Sequence, residues 1–162
     1  MMKLIWMMFA VVIVGAGALI YRNFSLASRQ EKIHEQGSSV IPFDLNQTTH
    51  IFKKTDSGGI QQVVVKDITT DAGQIPVIRM HLQMEASYFQ QGNFSDPMAL
   101  HGDSMPGVEA LAQSAGKIKI TYSELENGAQ IAYESEDTDT IAAIHQWFDA
   151  QVSDHGADAI GQ

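Results

Sequence analysis

The most apolar part of the chain is its beginning. Seventeen consecutive residues, from Leu4 to Ile20, carry no charge and consist mainly of Ile, Val, Leu, Met, Ala and Phe. A helix rises about 1.5 Å per residue, so this run crosses most of a hydrocarbon layer of about 30 Å. It predicts an N-terminal transmembrane helix, with residues 1–22 as the anchor and residues 4–21 in contact with the membrane. Ala16-Gly17-Ala18 resembles a cleavage site, so a removed signal sequence is the alternative.

After the anchor, residues 23–39 are polar and predict a stalk, and a globular part begins near Val40. Two hairpins are indicated there, one around Gly58-Gly59 and one around Asn127-Gly128. Asn-Gly favours a two-residue type I′ turn, in which both residues have positive φ. The four predicted strands are Thr49–Lys54, Ile60–Lys66, Lys117–Leu125 and Ala129–Glu134.

An amphipathic helix pattern follows each hairpin. The first helix is expected after a cap at Thr70-Asp71, and the second after Asp137. The two apolar stripes are Ile75, Ile78, Leu82 and Phe89, and Ile141, Ile144, Phe148 and Val152. The order is therefore β-β-α, insertion, β-β-α, like a diverged repeat. It predicts an α+β fold with one domain over residues 40–160, a four-stranded antiparallel sheet covered by two helices.

The insertion between the two halves, Gln91–Gly116, is rich in Gly, Pro, Asp and Ser. This composition predicts ordered turns, with a short helix at Val108–Ser114. Loops of this length within compact domains are often functional.

Composition excludes several classes of function. The chain has 10 basic and 19 acidic residues and a net charge of −9, so it repels a phosphate backbone and is not expected to bind nucleic acid. It has no cysteine, which excludes disulfides, thiolate nucleophiles and Cys-ligated zinc or iron–sulfur sites. The serine-hydrolase, phosphate-loop and dinucleotide motifs are all missing, so no catalytic residue is predicted.

Six histidines in this acidic chain are the main chemical lead. His81 and Glu85 are one helical turn apart, as are His145 and Asp149, so each imidazole could share a ligand with a carboxylate. Imidazoles and carboxylates suit copper or zinc. The candidate metal ligands are His81, His101, His145 and His155, and haem is a further candidate cofactor. Packing, capping and surface roles remain the alternative for these side chains, while His34 in the stalk and His50 in a predicted edge strand are weaker candidates.

Several segments resemble an uncharacterised family of small exported bacterial proteins, over about residues 27–158. Some members of that family are labelled aspartate carbamoyltransferase. The chain lacks the S-T-R-T loop and the H-P-x-Q signature of carbamoyltransferases, so the resemblance implies an exported domain and no assigned chemistry. The segments that carry it are Ile41–Leu45, Thr48–Phe52, Gly92–Pro97, His101–Gly107, His145–Gln151 and Ser153–Asp158.

Two functions follow as hypotheses. The first is an accessory or interaction domain within an envelope protein complex, held in the bacterial inner membrane by a single span with the C-terminal domain in the periplasm. Cleavage would instead release this domain into the periplasm. The second is an envelope protein that binds copper, zinc or haem through its histidines.

Overall fold

The computed structural model describes residues 20–37 and 40–162. The predicted anchor lies almost wholly outside the described residues, as do positions 38 and 39 of the predicted stalk. Within the described part of the chain, no helix is both long enough and apolar enough to cross a membrane.

Helices and strands alternate in the order that the sequence pattern predicts, with a few additions. The described part of the first helix, α1, covers residues 20–37. The strands are β1 Thr48–Thr55, β2 Gly58–Val65, β3 Lys119–Leu125, β4 Gly128–Glu134 and β5 Ala159–Gly161. The later helices are α2 Ile75–Gln90, α3 Ser95–His101, α4 Val108–Gln113 and α5 Thr138–His155. Short 3-10 turns lie at Ala72–Gln74 and Gly156–Asp158.

The α+β class and the two predicted hairpins are confirmed, but the predicted sheet is wrong in two respects. The described sheet has five strands in the order β3-β4-β2-β1-β5, and β5 runs parallel to β1. The prediction missed β5 because three residues are too few to show an alternating pattern. As a result β1 lies between β2 and β5, and the prediction that His50 sits in an edge strand is also wrong.

The helices cover one face of the sheet, and the main core lies between the two layers. Successive side chains of a strand point to opposite faces, so Thr48, His50 and Phe52 of β1 all point inward and are buried. Helices α2 and α5 supply the opposite wall. Their fully buried apolar side chains are Ile78, Leu82, Ile144, Trp147 and Phe148.

The turn between β3 and β4 differs from its prediction. Leu125 pairs with Gly128, so the two turn residues are Glu126 and Asn127. Every described residue with positive φ is a glycine, and Gly128 is not one of them, so the predicted type I′ turn is wrong. Glycine is required at position 128 for another reason. A Cβ there would lie 2.0 Å from the carbonyl oxygen of Val63 on β2.

Local signals explain where some helices begin. The Asp137 carboxylate accepts a hydrogen bond from the Thr140 amide at 2.9 Å, which confirms the predicted cap of α5. The predicted cap at Thr70-Asp71 is wrong, because α2 begins only at Ile75 and Asp71 makes no capping side-chain bond. In the insertion, α4 is confirmed to within one residue, whereas α3 was not predicted.

Helix α1 packs against the domain through its second half. Ile33 is buried in the hydrophobic core, and Arg29 forms an ion pair with Asp154 near the end of α5. The beginning of α1 is different, because Ile20, Tyr21 and Phe24 are all largely exposed.

Candidate functional site

A cavity of about 60 Å³ lies between the sheet and the helices. A water molecule needs roughly 10–15 Å³ measured in this way, so the cavity has space for about four particles of that size. Pockets for organic ligands span about 300–1,000 Å³, and haem therefore does not fit this cavity. Its polar lining residues are His50, Gln61, His81, Glu85, Asp96, His101, Gln151 and His155.

Four histidines from four different elements meet at this cavity. His50 comes from β1, His81 from α2, His101 from the last position of α3 and His155 from the last position of α5. The ring centroids of His50 and His155 are 5.0 Å apart, and those of His101 and His155 are also 5.0 Å apart. We call His50, His101 and His155 the histidine cluster.

The structure brings together three of the four predicted candidates. His81, His101 and His155 line the cavity, whereas His145 points to the hairpin between β1 and β2. The Nε2 atom of His145 donates to the carbonyl oxygens of Thr55 at 3.0 Å and Gly58 at 2.9 Å. His145 therefore holds a turn in place.

Sequence reasoning gave too little weight to His50. The signal was present, because Thr48, His50 and Phe52 alternate with more exposed residues and so share the inward face of β1. The sixth histidine, His34 on α1, contacts Asp158 through Nδ1 at 2.7 Å and is not among the residues that line the cavity.

Asp154 fixes the orientation of His101. Its carboxylate accepts two hydrogen bonds from Arg29, at 2.6 and 2.7 Å, and one from Nδ1 of His101 at 3.0 Å. Burial alone would raise the pKa of Asp154, but the bonds from His101 and Arg29 lower it to about 2. With its Nδ1 proton directed at a carboxylate, His101 presents Nε2 as the nitrogen with a free lone pair.

Buried polar atoms without a hydrogen-bond partner are concentrated at the cavity. In the described part of the chain there are four such side-chain atoms, and all belong to residues that line it. They are His50 Nδ1, His81 Nδ1, Glu85 Oε1 and Trp147 Nε1. Because an unpaired buried polar atom costs about 1–3 kcal/mol, this concentration indicates a place built to receive a polar species.

Most of the cavity imidazoles are held neutral at physiological pH. Burial lowers the pKa of His50 well below its usual value, and the nearby His155, His81 and His101 lower it further. Burial also lowers the pKa of His81. For His155, burial and the neighbouring His101 bring the pKa to about 4. Neutral imidazole is the form that binds metals.

Glu85 and Asp96 form a carboxyl pair at the cavity. Burial raises the pKa of Glu85 to about 8, with a further contribution from its hydrogen bond to Asp96 and from the charge of that residue. Glu85 is therefore largely protonated at pH 7. Asp96 lies in the first turn of α3 and was not identified from the sequence.

The donors surround the cavity without forming a finished coordination sphere. Across residues 20–37 and 40–162, no group of three or more His, Asp or Glu side chains is placed so that it could hold a metal ion.

Comparison with known proteins yields no relative for this chain. No family model, no curated protein and no solved structure matches it significantly.

Proposed function

We propose that the protein is an exported bacterial envelope protein whose domain binds one divalent transition-metal ion, copper or zinc, at the histidine cluster. The observation that carries this proposal is the convergence of buried, neutral imidazoles on a polar cavity that is lined by all four unpartnered buried side-chain atoms of the described chain. Neutral nitrogen donors suit Cu(II) and Zn(II).

The chemistry of the cluster favours a divalent ion over Cu(I). Soft thioether ligands select Cu(I), but Met105, the methionine nearest in sequence to His101, does not line the cavity. Asp154 also holds His101 in the tautomer that leaves Nε2 free, as carboxylates do for many zinc-bound histidines.

Metal entry requires only small movements of the ligands. The rings of His50 and His155 are stacked with an interplanar angle of 29°, so their nitrogens do not yet face one point. Rotation about the Cβ–Cγ bond of histidine is soft, because this torsion has broad wells. Rotating the rings would direct nitrogens toward a common ion without moving the backbone.

Metal binding is tested first on the soluble domain. Equilibrium dialysis of residues 20–162 against Cu(II) or Zn(II) is expected to show bound metal, and bound metal is expected to raise the melting temperature. The His50→Ala/His155→Ala variant is expected to lose at least tenfold in affinity at the cluster. His145→Gln is the matched control, because His145 shares α5 with His155 but contacts hairpin carbonyls.

Equal metal binding by wild type and the double variant would contradict the proposal. A wild type that binds neither metal would leave the accessory role in an envelope complex as the better candidate. The exposed stripe of Met80, Met84 and Tyr88, at four-residue spacing on α2, supports that second role.

The proposed location has its own test. The charge-free run Leu4–Ile20 and the exposed Ile20, Tyr21 and Phe24 that follow it suit a single membrane span and its interface. After carbonate washing, the full chain is expected to stay with bacterial membranes, while a chain that begins at Arg29 is expected to be soluble. Recovery of a mature protein that begins between Gly15 and Arg29 would show a cleaved signal sequence instead.

A further inference from the structure

The cavity has a second group of donors that the histidine cluster does not include. His81 and Glu85 lie one turn apart on α2 and therefore face the same side of the helix. Asp96 approaches from the first turn of α3, and all three residues line the cavity. His81 and Glu85 are only 8% and 6% exposed. We call these three residues the carboxyl end of the cavity.

The carboxyl end carries unused donor atoms. The Nδ1 atom of His81 and the Oε1 atom of Glu85 are buried without a hydrogen-bond partner. Asp96 interacts electrostatically with both His81 and Glu85, which places the three groups close to one another. An imidazole nitrogen and carboxylate oxygens form a mixed ligand set of the kind that zinc accepts in proteins.

Phe43 separates this group from the histidine cluster. The Phe43 ring lies 5.6 Å from the ring of His81 and 5.8 Å from the ring of His50, measured between centroids. His50 and His101 each contact His155, whereas the recorded ring contact of His81 is with Phe43. The side chains that surround the cavity thus fall into two groups.

We propose that His81, Glu85 and Asp96 form a second cation site, which binds a divalent ion such as Zn²⁺ through one nitrogen and carboxylate oxygens, so that each chain holds two ions. The proposal extends the proposed function to the same cavity but depends on different side chains. Two carboxylates supply the negative charge that a dication needs in a buried site, and this charge is absent from the imidazoles of the cluster.

Zinc stoichiometry tests the second site. The soluble domain is stripped of metal, incubated with excess Zn(II) and separated from free zinc by gel filtration, and its zinc content per chain is measured by mass spectrometry. We expect two zinc ions in the wild type and in the His145→Gln control. We expect one in Glu85→Gln and one in His50→Ala/His155→Ala.

Glu85→Gln is a suitable variant because it preserves shape and hydrogen bonding. Glu85 is largely protonated at pH 7, and the glutamine amide can likewise donate to Asp96. An unchanged near-ultraviolet circular dichroism spectrum of the metal-free variant would show that the packing around Trp147 is intact.

Each outcome separates the two proposals. A single zinc ion that is lost in the His50/His155 variant but retained in Glu85→Gln would overturn the second site and leave the proposed function standing. A single ion lost only in Glu85→Gln would overturn the histidine cluster and support the carboxyl end. A metal-free wild type would overturn both.

Discussion

Replacement of Gly128 by valine is expected to lower the free energy of unfolding by about 3 kcal/mol or more, at the upper end of what overpacking costs. Gly128 is the first residue of β4, and β4 pairs with β2. A Cβ at this position would lie 2.0 Å from the carbonyl oxygen of Val63 and 2.9 Å from the Cα of Val64. Both are backbone atoms, so the contact is relieved only if β2 and β4 move apart in the middle of the sheet.

Gly73→Val is the matched control, because a Cβ on Gly73 meets no atom within 4 Å. Urea denaturation of the two variants and the wild type measures the difference. A Gly128→Val protein with the denaturation midpoint of the wild type would show that the described pairing of β2 and β4 is incorrect.

Lowering the pH from 7 to 4.5 is expected to destabilise the metal-free domain strongly. Burial holds the pKa values of His50, His81 and His155 below the usual value of 6.5, and that of His155 is about 4. Between pH 6.5 and 4 the unfolded chain therefore binds more protons than the folded chain, and stability falls as the pH falls. His155 alone accounts for a loss on the order of 3 kcal/mol by pH 4.5.

Urea denaturation at pH 7 and pH 4.5, with a chelator present, measures this loss. His155→Gln removes one of the titrating groups, so its stability is expected to fall less between the two pH values. His145→Gln is expected to behave like the wild type. Glu85 acts in the opposite direction, because its raised pKa favours the folded state as the pH falls toward 4.5. Equal losses in wild type and His155→Gln would show that His155 is not buried in its neutral form.

The hairpins and the two long helices were predictable because their signals are local. The alternating strands and the apolar stripes of α2 and α5 each repeat over enough residues to be recognised. The cap at Asp137 was predictable for the same reason, because capping depends on the neighbouring backbone amides. By contrast, α3 and β5 are short, and β5 forms only by pairing with the distant β1.

The candidate site was predictable only in part. The sequence identifies histidines as the chemical lead and places His81 one turn from Glu85, a spacing set by the helix itself. It does not distinguish His145 from His155, because both lie on α5 and differ only in what they face across the fold. It also ranked His50 too low, since the wrong assignment of β1 to the edge of the sheet depended on the unrecognised β5.

The sequence by itself determined the elements, the acidic charge and the residue types available for chemistry, because periodicity, composition and turn signals act over a few residues. Tertiary structure alone decided the cavity and its contents. His50, His101 and His155 are far apart along the chain, and they meet because β1, α3 and α5 pack around one core. The same packing removes water from the imidazoles and from Glu85, and this burial shifts the pKa values of His50, His155 and Glu85.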